Sequence, residues 1–277
     1  MKIAYFPDYV AKNGAPVLNS MLIGCQRHGY KCIENSMTAD AAVIWSVLWH
    51  GRMLGNQAVY EHYRNQGKPV IVVDVGALYR GGTWKVALNN INADGYYGHT
   101  ENLDLDRPRK LRISLAYNFS NNPRIIIAAQ HRASLQVAKL PGIESWILDQ
   151  IAAIRYVTDR PILVRPHPRS RLDMSVFPAD IKIERPEKLE NTYDSYNLNF
   201  DCHALINYNS GPGIQAAIAG TRVIVDQSSL AYPVSLAYKD LDNAYDCDRD
   251  KWLIEMCHTE YTTLELEQGL WIQRLHL

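Results

Sequence analysis

The chain has 277 residues, 29 basic and 29 acidic side chains, and 47% apolar residues. That length suits two domains of about 100 to 150 residues, and a formal net charge of zero excludes the broad basic footprint of a general nucleic-acid binder, so any DNA contact must be local. Cys25, Cys32, Cys202, Cys247 and Cys257 are scattered without paired short spacings, which argues against a disulfide framework or a structural zinc site and reads as reduced thiols of a cytoplasmic protein. The N-terminus has no signal-peptide pattern, and the longest apolar run, AAVIWSVLW, is roughly half the ~20 residues of a spanning helix.

In chain order, IAYF, PVLNSMLIGCQRHGY, AAVIWSVLW, NQAVYEHYRNQGK and PVIVVDVG alternate buried runs with helix-length amphipathic segments, the pattern of parallel strands joined by crossover helices. Gly29 and Gly67 are helix stop signals. The segment DLDRPRKLRISLAYNFSNNPR is charged and broken by prolines and asparagines, and reads as a linker; Arg107, Arg109, Lys110 and Arg112 in it read as a solvated face. A second series begins at RIIIAAQ and continues through a helix near 142–157, the strand PILV, the strand ALINY, the helix GIQAAIAG and the strand TRVIVD. The tail from DRDKW onward has helical spacing, with Trp252, Met256, Leu264, Leu266 and Trp271 available to pack on the body. The domains expected are therefore 1–118, 119–235 and a helical tail, 236–277.

Two motifs carry chemistry. INYNSGPGIQAAIAG runs a strand into a glycine-bearing turn that opens a helix, so first-turn amides and the positive helix end would face an anion; Asn209 and Ser210 could cap, while Gly211 and Gly213 allow close approach. RPHPR places Arg165, His167 and Arg169 at a proline-stiffened strand end. Together they point to a diphosphate. The carboxylate pairs of LDLD (Asp104, Asp106) and Asp246 with Asp248 read as solvated rather than metal-binding.

Three blocks, AAQHRAS, RPHP and NSGPGIQAAIAGTRVIV, resemble the second domain of GT-B glycosyltransferases of the capsule-polysaccharide Kdo-transferase kind, and VVDVGALYRGGTWKVALNNINADG with SSLAYPVS resembles bacteriophage proteins described as glycosyltransferases. The resemblance implies an α/β, GT-B-like fold of two Rossmann-like domains with a central cleft, the N-terminal one on the acceptor side and the C-terminal one holding a nucleotide-sugar donor as co-substrate, without a metal or other cofactor. It also implies that Gln130, Arg132 and Ser134 lie at the donor phosphates, that Arg165, His167 and Arg169 neutralise the leaving diphosphate, and that Asn209, Ser210, Gly211, Gly213 and Gln215 complete the donor site.

A base is required if transfer inverts the anomeric centre and not if it retains it. Asp74 and Asp8 qualify by strand-end position, with His99 and His50 as loop alternatives. The block LYRGGTWKVALNNINADGYYGH interleaves Tyr79, Arg80, Trp84, Lys85, Tyr96 and Tyr97 with glycines, offering stacking faces and cations to an acceptor. The function expected is transfer of a sugar to a hydroxyl of a hydroxymethylated pyrimidine in duplex DNA. A cell-surface saccharide acceptor and a non-catalytic nucleotide-sugar binding module stand beside it as alternatives.

Overall fold

A computed structural model describes residues 1–117, 120–192, 195–243 and 247–277. Asn118 and Phe119 of the expected linker, and Asp246, lie outside the described residues. The chain divides into two compact units: unit 1 comprises Met1–Ile113 and Ile254–Leu277, and unit 2 comprises Ser114–Leu253. No helix among the described residues is long and apolar enough to cross a membrane.

Unit 1 opens with β1 (Lys2–Tyr5), α1 (Ala15–Arg27), β2 (Lys31–Glu34), β3 (Ala41–Trp45), α2 (Gly55–Asn65) and β4 (Val70–Val75). The stop signals act as expected: Gly29 and Gly67 follow α1 and α2 with φ of 76° and 69°, a region where a side chain would be strained. β2, β1, β3 and β4 are parallel neighbours in that order. The next strand, β5 (Trp84–Leu88), reverses direction against β4, so Trp84 and Lys85 of the expected acceptor loop lie in the sheet. α3 (Arg107–Leu111) then interrupts the segment expected as linker.

Unit 2 comprises β6 (Ile125–Ala128), α4 (Ile143–Val157), β7 (Ile162–Arg165), β8 (Lys182–Ile183), the small hairpin β9 (Glu187–Lys188) and β10 (Tyr196–Asn197), β11 (Ala204–Asn207), α5 (Gly211–Ile218) and β12 (Arg222–Val225). Its five-stranded sheet has the order β12-β11-β6-β7-β8 and every pairing in it is parallel. Burial on both faces explains the continuous apolar runs ILV and IIIA. The strand order reverses at β6, which lies between β7 and β11, and the carboxyl ends of strands at such a reversal are where α/β sheets place ligands.

The tail does not form one piece. Residues 236–253 belong to unit 2, and α6 (Arg249–Cys257) contains the point at which the chain returns to unit 1. There β13 (Glu260–Tyr261) pairs antiparallel with β5 and completes a six-stranded sheet, followed by α7 (Thr263–Gln268) and α8 (Leu270–Leu275). Leu266 and Trp271 are fully buried in the core that α1 shares with β1, β3 and β4, whereas Leu264 is exposed. Arg107 locks this return in place. It is buried, donating to the carbonyls of Cys257 and Glu260 and to the Glu265 carboxylate, with its guanidinium over the Tyr261 ring. It is thus a structural cation and not part of a solvated face, while Arg109 and Lys110 are exposed and pair with Asp106 and Asp104.

Candidate functional site

The register of unit 2 sets Ala128 beside both Arg165 and Asn207, so the loops leaving β6, β7 and β11 emerge at one sheet edge. Gln130 and Asn209 meet there. The Gln130 amide donates to Asn209 Oδ1 at 2.9 Å, and its carbonyl oxygen accepts the Asn209 N–H at 2.8 Å. The Asn209 amide donates onward to the Gln136 carbonyl and to Ser228 Oγ, and Gln130 also reaches Gln136 Oε1. Both side chains are buried and hydrogen-bonded to protein partners, so they brace the edge.

Asn207, which the motif reading passed over, makes a second brace. Its amide donates to the Ala128 carbonyl and to Ser210 Oγ, and its Oδ1 accepts the Ser210 N–H at 2.9 Å. The Ser210 hydroxyl is therefore held by Asn207 and does not cap α5. At the start of α5, Pro212 has no N–H and the Gly213 N–H donates to the Ser210 carbonyl. The leading amide, Gly211 N–H, has no hydrogen bond among the described residues and faces out from the positive end of the helix. Gly213 serves packing: a Cβ there would lie 3.0 Å from Val225 Cγ1 and 3.2 Å from Asn207 Oδ1. Gln215 is half-buried one turn further along α5.

Two histidines stand across this edge. The His131 and His167 rings meet edge to face, 5.1 Å apart. Each closes the same tight turn, with Nδ1 of His131 accepting the Ala133 N–H and Nδ1 of His167 accepting the Arg169 N–H, both at 3.1 Å. A ring whose Nδ1 accepts carries its proton on Nε2, which makes each imidazole a fixed N–H donor. The loops are laced together by Ser170, which is buried and whose hydroxyl accepts the Arg132 N–H.

The arginines are placed otherwise than the sequence suggested. Alternation along β7 puts Ile162 and Val164 in the α4 core and Arg165 on the other face. There its guanidinium donates to the carbonyls of Leu198 and Asn199 and pairs with Glu184 at 3.2 Å. Burial pulls its pKa down from the usual guanidinium value, and the Glu184 carboxylate offsets this in part. It holds the segment before β11. Arg132 turns to Glu144 at 2.7 Å and to the Arg171 carbonyl. Ser134 caps the short turn Leu135–Val137 by accepting the Gln136 N–H. Arg169 is exposed at the edge.

In unit 1, Asp74, next to last in β4, is half-buried, accepting from Ser46 Oγ at 2.8 Å and from the Val75 N–H at 2.6 Å. Burial raises its pKa, against the lowering effect of those two donors and of the Lys85 and Arg80 cations. Lys85 is its direct cross-strand partner and is only 6% exposed. Asp8 is exposed in the turn after β1. His99 lies elsewhere, on the side of β5 that faces α8: its ring is 4.9 Å from that of His276 and its carbonyl accepts from Arg274. Strand alternation puts Asp74 on the sheet face opposite Val73 and the α1 core. His50 is exposed. Trp84 is buried against Trp45 with ring centroids 5.8 Å apart and offers no stacking face, and Lys85 is buried in the sheet. Of the expected acceptor groups, Tyr79, at 62% exposure, Arg80 and Tyr96 reach solvent.

No family model matches the chain, and no curated protein matches it. Among solved structures it is similar to the beta Kdo 2,4 transferase of Thermosulfurimonas dismutans KpsC, with a TM-score of 0.53 and 12% identity over 98% of each chain. It is similar also to the beta Kdo 2,7 transferase of the same KpsC, with a TM-score of 0.51 and 11% identity over 99% of each chain. The fold is accordingly that of GT-B glycosyltransferases, with two Rossmann-like units.

Proposed function

We propose that this chain is a nucleotide-sugar-dependent glycosyltransferase. The observation that carries this reading is that two paired imidazoles, on the loops after β6 and β7, and the opening turn of α5, after β11, leave the same carboxyl edge at the strand-order reversal of unit 2. Donors fixed in this way suit the oxygens of a diphosphate, whose charge grows as the sugar departs. Gln130, Asn207 and Asn209 hold the loops in place so that these donors need no reorganisation during reaction. His131, His167, Arg169 and Gly211 are the donor-contacting groups in this account.

On the acceptor side, Asp74 is the base of an inverting reaction: a carboxylate with a raised pKa is a better proton acceptor near neutral pH than an ordinary one. The acceptor we propose is a hydroxyl of a hydroxymethylated pyrimidine in DNA, contacted by Tyr79 and Arg80. Contacts confined to so few groups agree with zero net charge. A saccharide acceptor is the second reading, favoured by the fold shared with transferases described as acting with Kdo.

A thermal-shift screen of nucleotide sugars tests the donor reading, since a ligand at ~100 times its dissociation constant stabilises by about 2.7 kcal/mol. Products formed from the selected donor on hydroxymethylcytosine DNA, hydroxymethyluracil DNA and saccharide arrays then separate the acceptors. Stabilisation by no nucleotide sugar would end the transferase reading.

A further inference from the structure

The most completely buried carboxylate of unit 1 belongs to the returning C-terminal segment. Glu260 of β13 has 0% exposure and is paired across β5 with Lys85, which is paired in turn with Asp74. Directly opposed residues on neighbouring strands share a face, so a carboxylate, an ammonium and a second carboxylate form one row across β13, β5 and β4. The Glu260 carboxylate is also the hub of the turn between β4 and β5. It accepts from the Ala77 N–H at 2.6 Å, the Leu78 N–H at 3.1 Å and Thr83 Oγ1 at 2.6 Å. Gly76 leaves room for it: a Cβ there would come within 2.3 Å of Glu260 Oε2. This turn carries Tyr79 and Arg80 at its tip, with Thr83 Oγ1 bonded also to the Tyr79 carbonyl and amide. The Tyr97 hydroxyl, under the influence of the Glu260 and Asp74 carboxylates, is buried with no hydrogen-bond partner among the described residues.

Three charge-assisted bonds tie both ends of the turn to one fully buried carboxylate. We propose that Glu260 is a positioning residue that fixes the turn 76–83 and thereby sets the acceptor-contacting groups Tyr79 and Arg80 beside Asp74. The proposal rests on the acceptor-side reading given above. It gives the C-terminal segment a part in acceptor recognition, because the residue that shapes the turn comes from 177 positions beyond Thr83.

The test uses the full chain with Glu260→Gln, which keeps the shape but replaces one accepting oxygen by a donor, set against the Ala77 amide in one orientation and against the Leu78 amide and Thr83 hydroxyl in the other, and with Thr83→Val, which removes one bond and leaves the carboxylate. Amide exchange at 77 and 78 should be about tenfold faster or more in E260Q, the KM for the acceptor should rise by a similar factor, and donor affinity and the KM for the donor should stay as in the wild type. T83V should shift the same two quantities by a smaller factor. Wild-type exchange rates and acceptor KM in E260Q, or an equal loss of donor and acceptor affinity in both variants, would overturn the proposal. If E260Q does not fold, T83V alone decides between these results. Absence of turnover by the wild type with every acceptor counts against the transferase reading, and the exchange rates at 77 and 78 still decide the role of Glu260.

Discussion

Gln130 and Asn209 exchange two hydrogen bonds across the point where the strand order of unit 2 reverses, although 79 positions separate them in the chain. This pair ties the loop after β6 to the loop that opens α5, and so fixes the distance between the histidine edge and the leading amide of the helix. Gln130→Ala would leave the buried Asn209 N–H and Oδ1 without partners. The expected cost is about 1–3 kcal/mol in urea unfolding, together with weakened donor binding. Wild-type stability in this variant would show that the brace contributes nothing.

His131 and His167 should act as equivalent donors. His131→Ala and His167→Ala are each expected to weaken nucleotide-sugar binding by about tenfold, the equivalent of roughly 1.4 kcal/mol, without lowering the thermal midpoint of the free protein by more than a few degrees. Calorimetric titration reads this directly, and a variant that binds as tightly as the wild type removes that ring from the site.

Arg165 is expected to behave as a structural residue. Arg165→Ala strips the donors from the Leu198 and Asn199 carbonyls and leaves Glu184 without that partner, for a stability loss of about 1–3 kcal/mol. If the variant is as stable as the wild type yet cannot bind a nucleotide sugar, Arg165 has the ligand role that its position in RPHPR suggested.

Asp74→Asn should bind the donor normally and lower the rate of sugar transfer by about 10²–10⁴. A carboxyl whose folded pKa is raised favours the native state while protonated, and that contribution fades as pH rises through the raised value. The neutral Asn variant should therefore be no less stable than the wild type at pH 7. Single-turnover rates and a thermal melt check the two halves, and normal turnover would remove Asp74 as base.

The Arg107 clasp carries a pH dependence of the opposite sign. Burial alone would raise the Glu265 carboxyl, but hydrogen bonds from Arg107 and from the Thr262 N–H hold it below its ordinary value of 4.5. Such a group stabilises the native state above that value, and the contribution is lost as pH falls through the lowered one. Protection of the α7 amides, relative to their intrinsic exchange rates, should thus fall on acidification below about 4.5. Arg107→Met should show fast exchange already at neutral pH, and a pH-independent profile in the wild type would contradict the clasp.

Much of this could be read from the chain itself. The buried runs of β6, β7, β11 and β12 and the glycine stops at Gly29 and Gly67 follow from local pattern, because a parallel strand covered on both faces must be apolar throughout. The direction of Arg165 was not available, since Leu163 is as apolar as Ile162 and Val164 and the run shows no polar face. His131 was passed over although His131-Arg132-Ala133 closes the same two-residue turn as His167-Pro168-Arg169. Other features leave no local signal. β13 is two residues long, and the reach of Arg107 to Glu265 spans 158 positions, so neither periodicity nor motif announces that the tail completes the first sheet. Charge misled in that region: Arg107 resembles its exposed neighbours in sequence and differs from them only in what packs around it.

The most direct measurement is calorimetric titration of the wild type and the double variant His131→Ala/His167→Ala with the nucleotide sugar that gives the largest thermal shift. Two fixed donors worth about 1.4 kcal/mol each predict affinity about 100-fold weaker in the double variant, with the fold intact. Equal affinity in the two proteins would mean that the donor is held somewhere other than the carboxyl edge of unit 2.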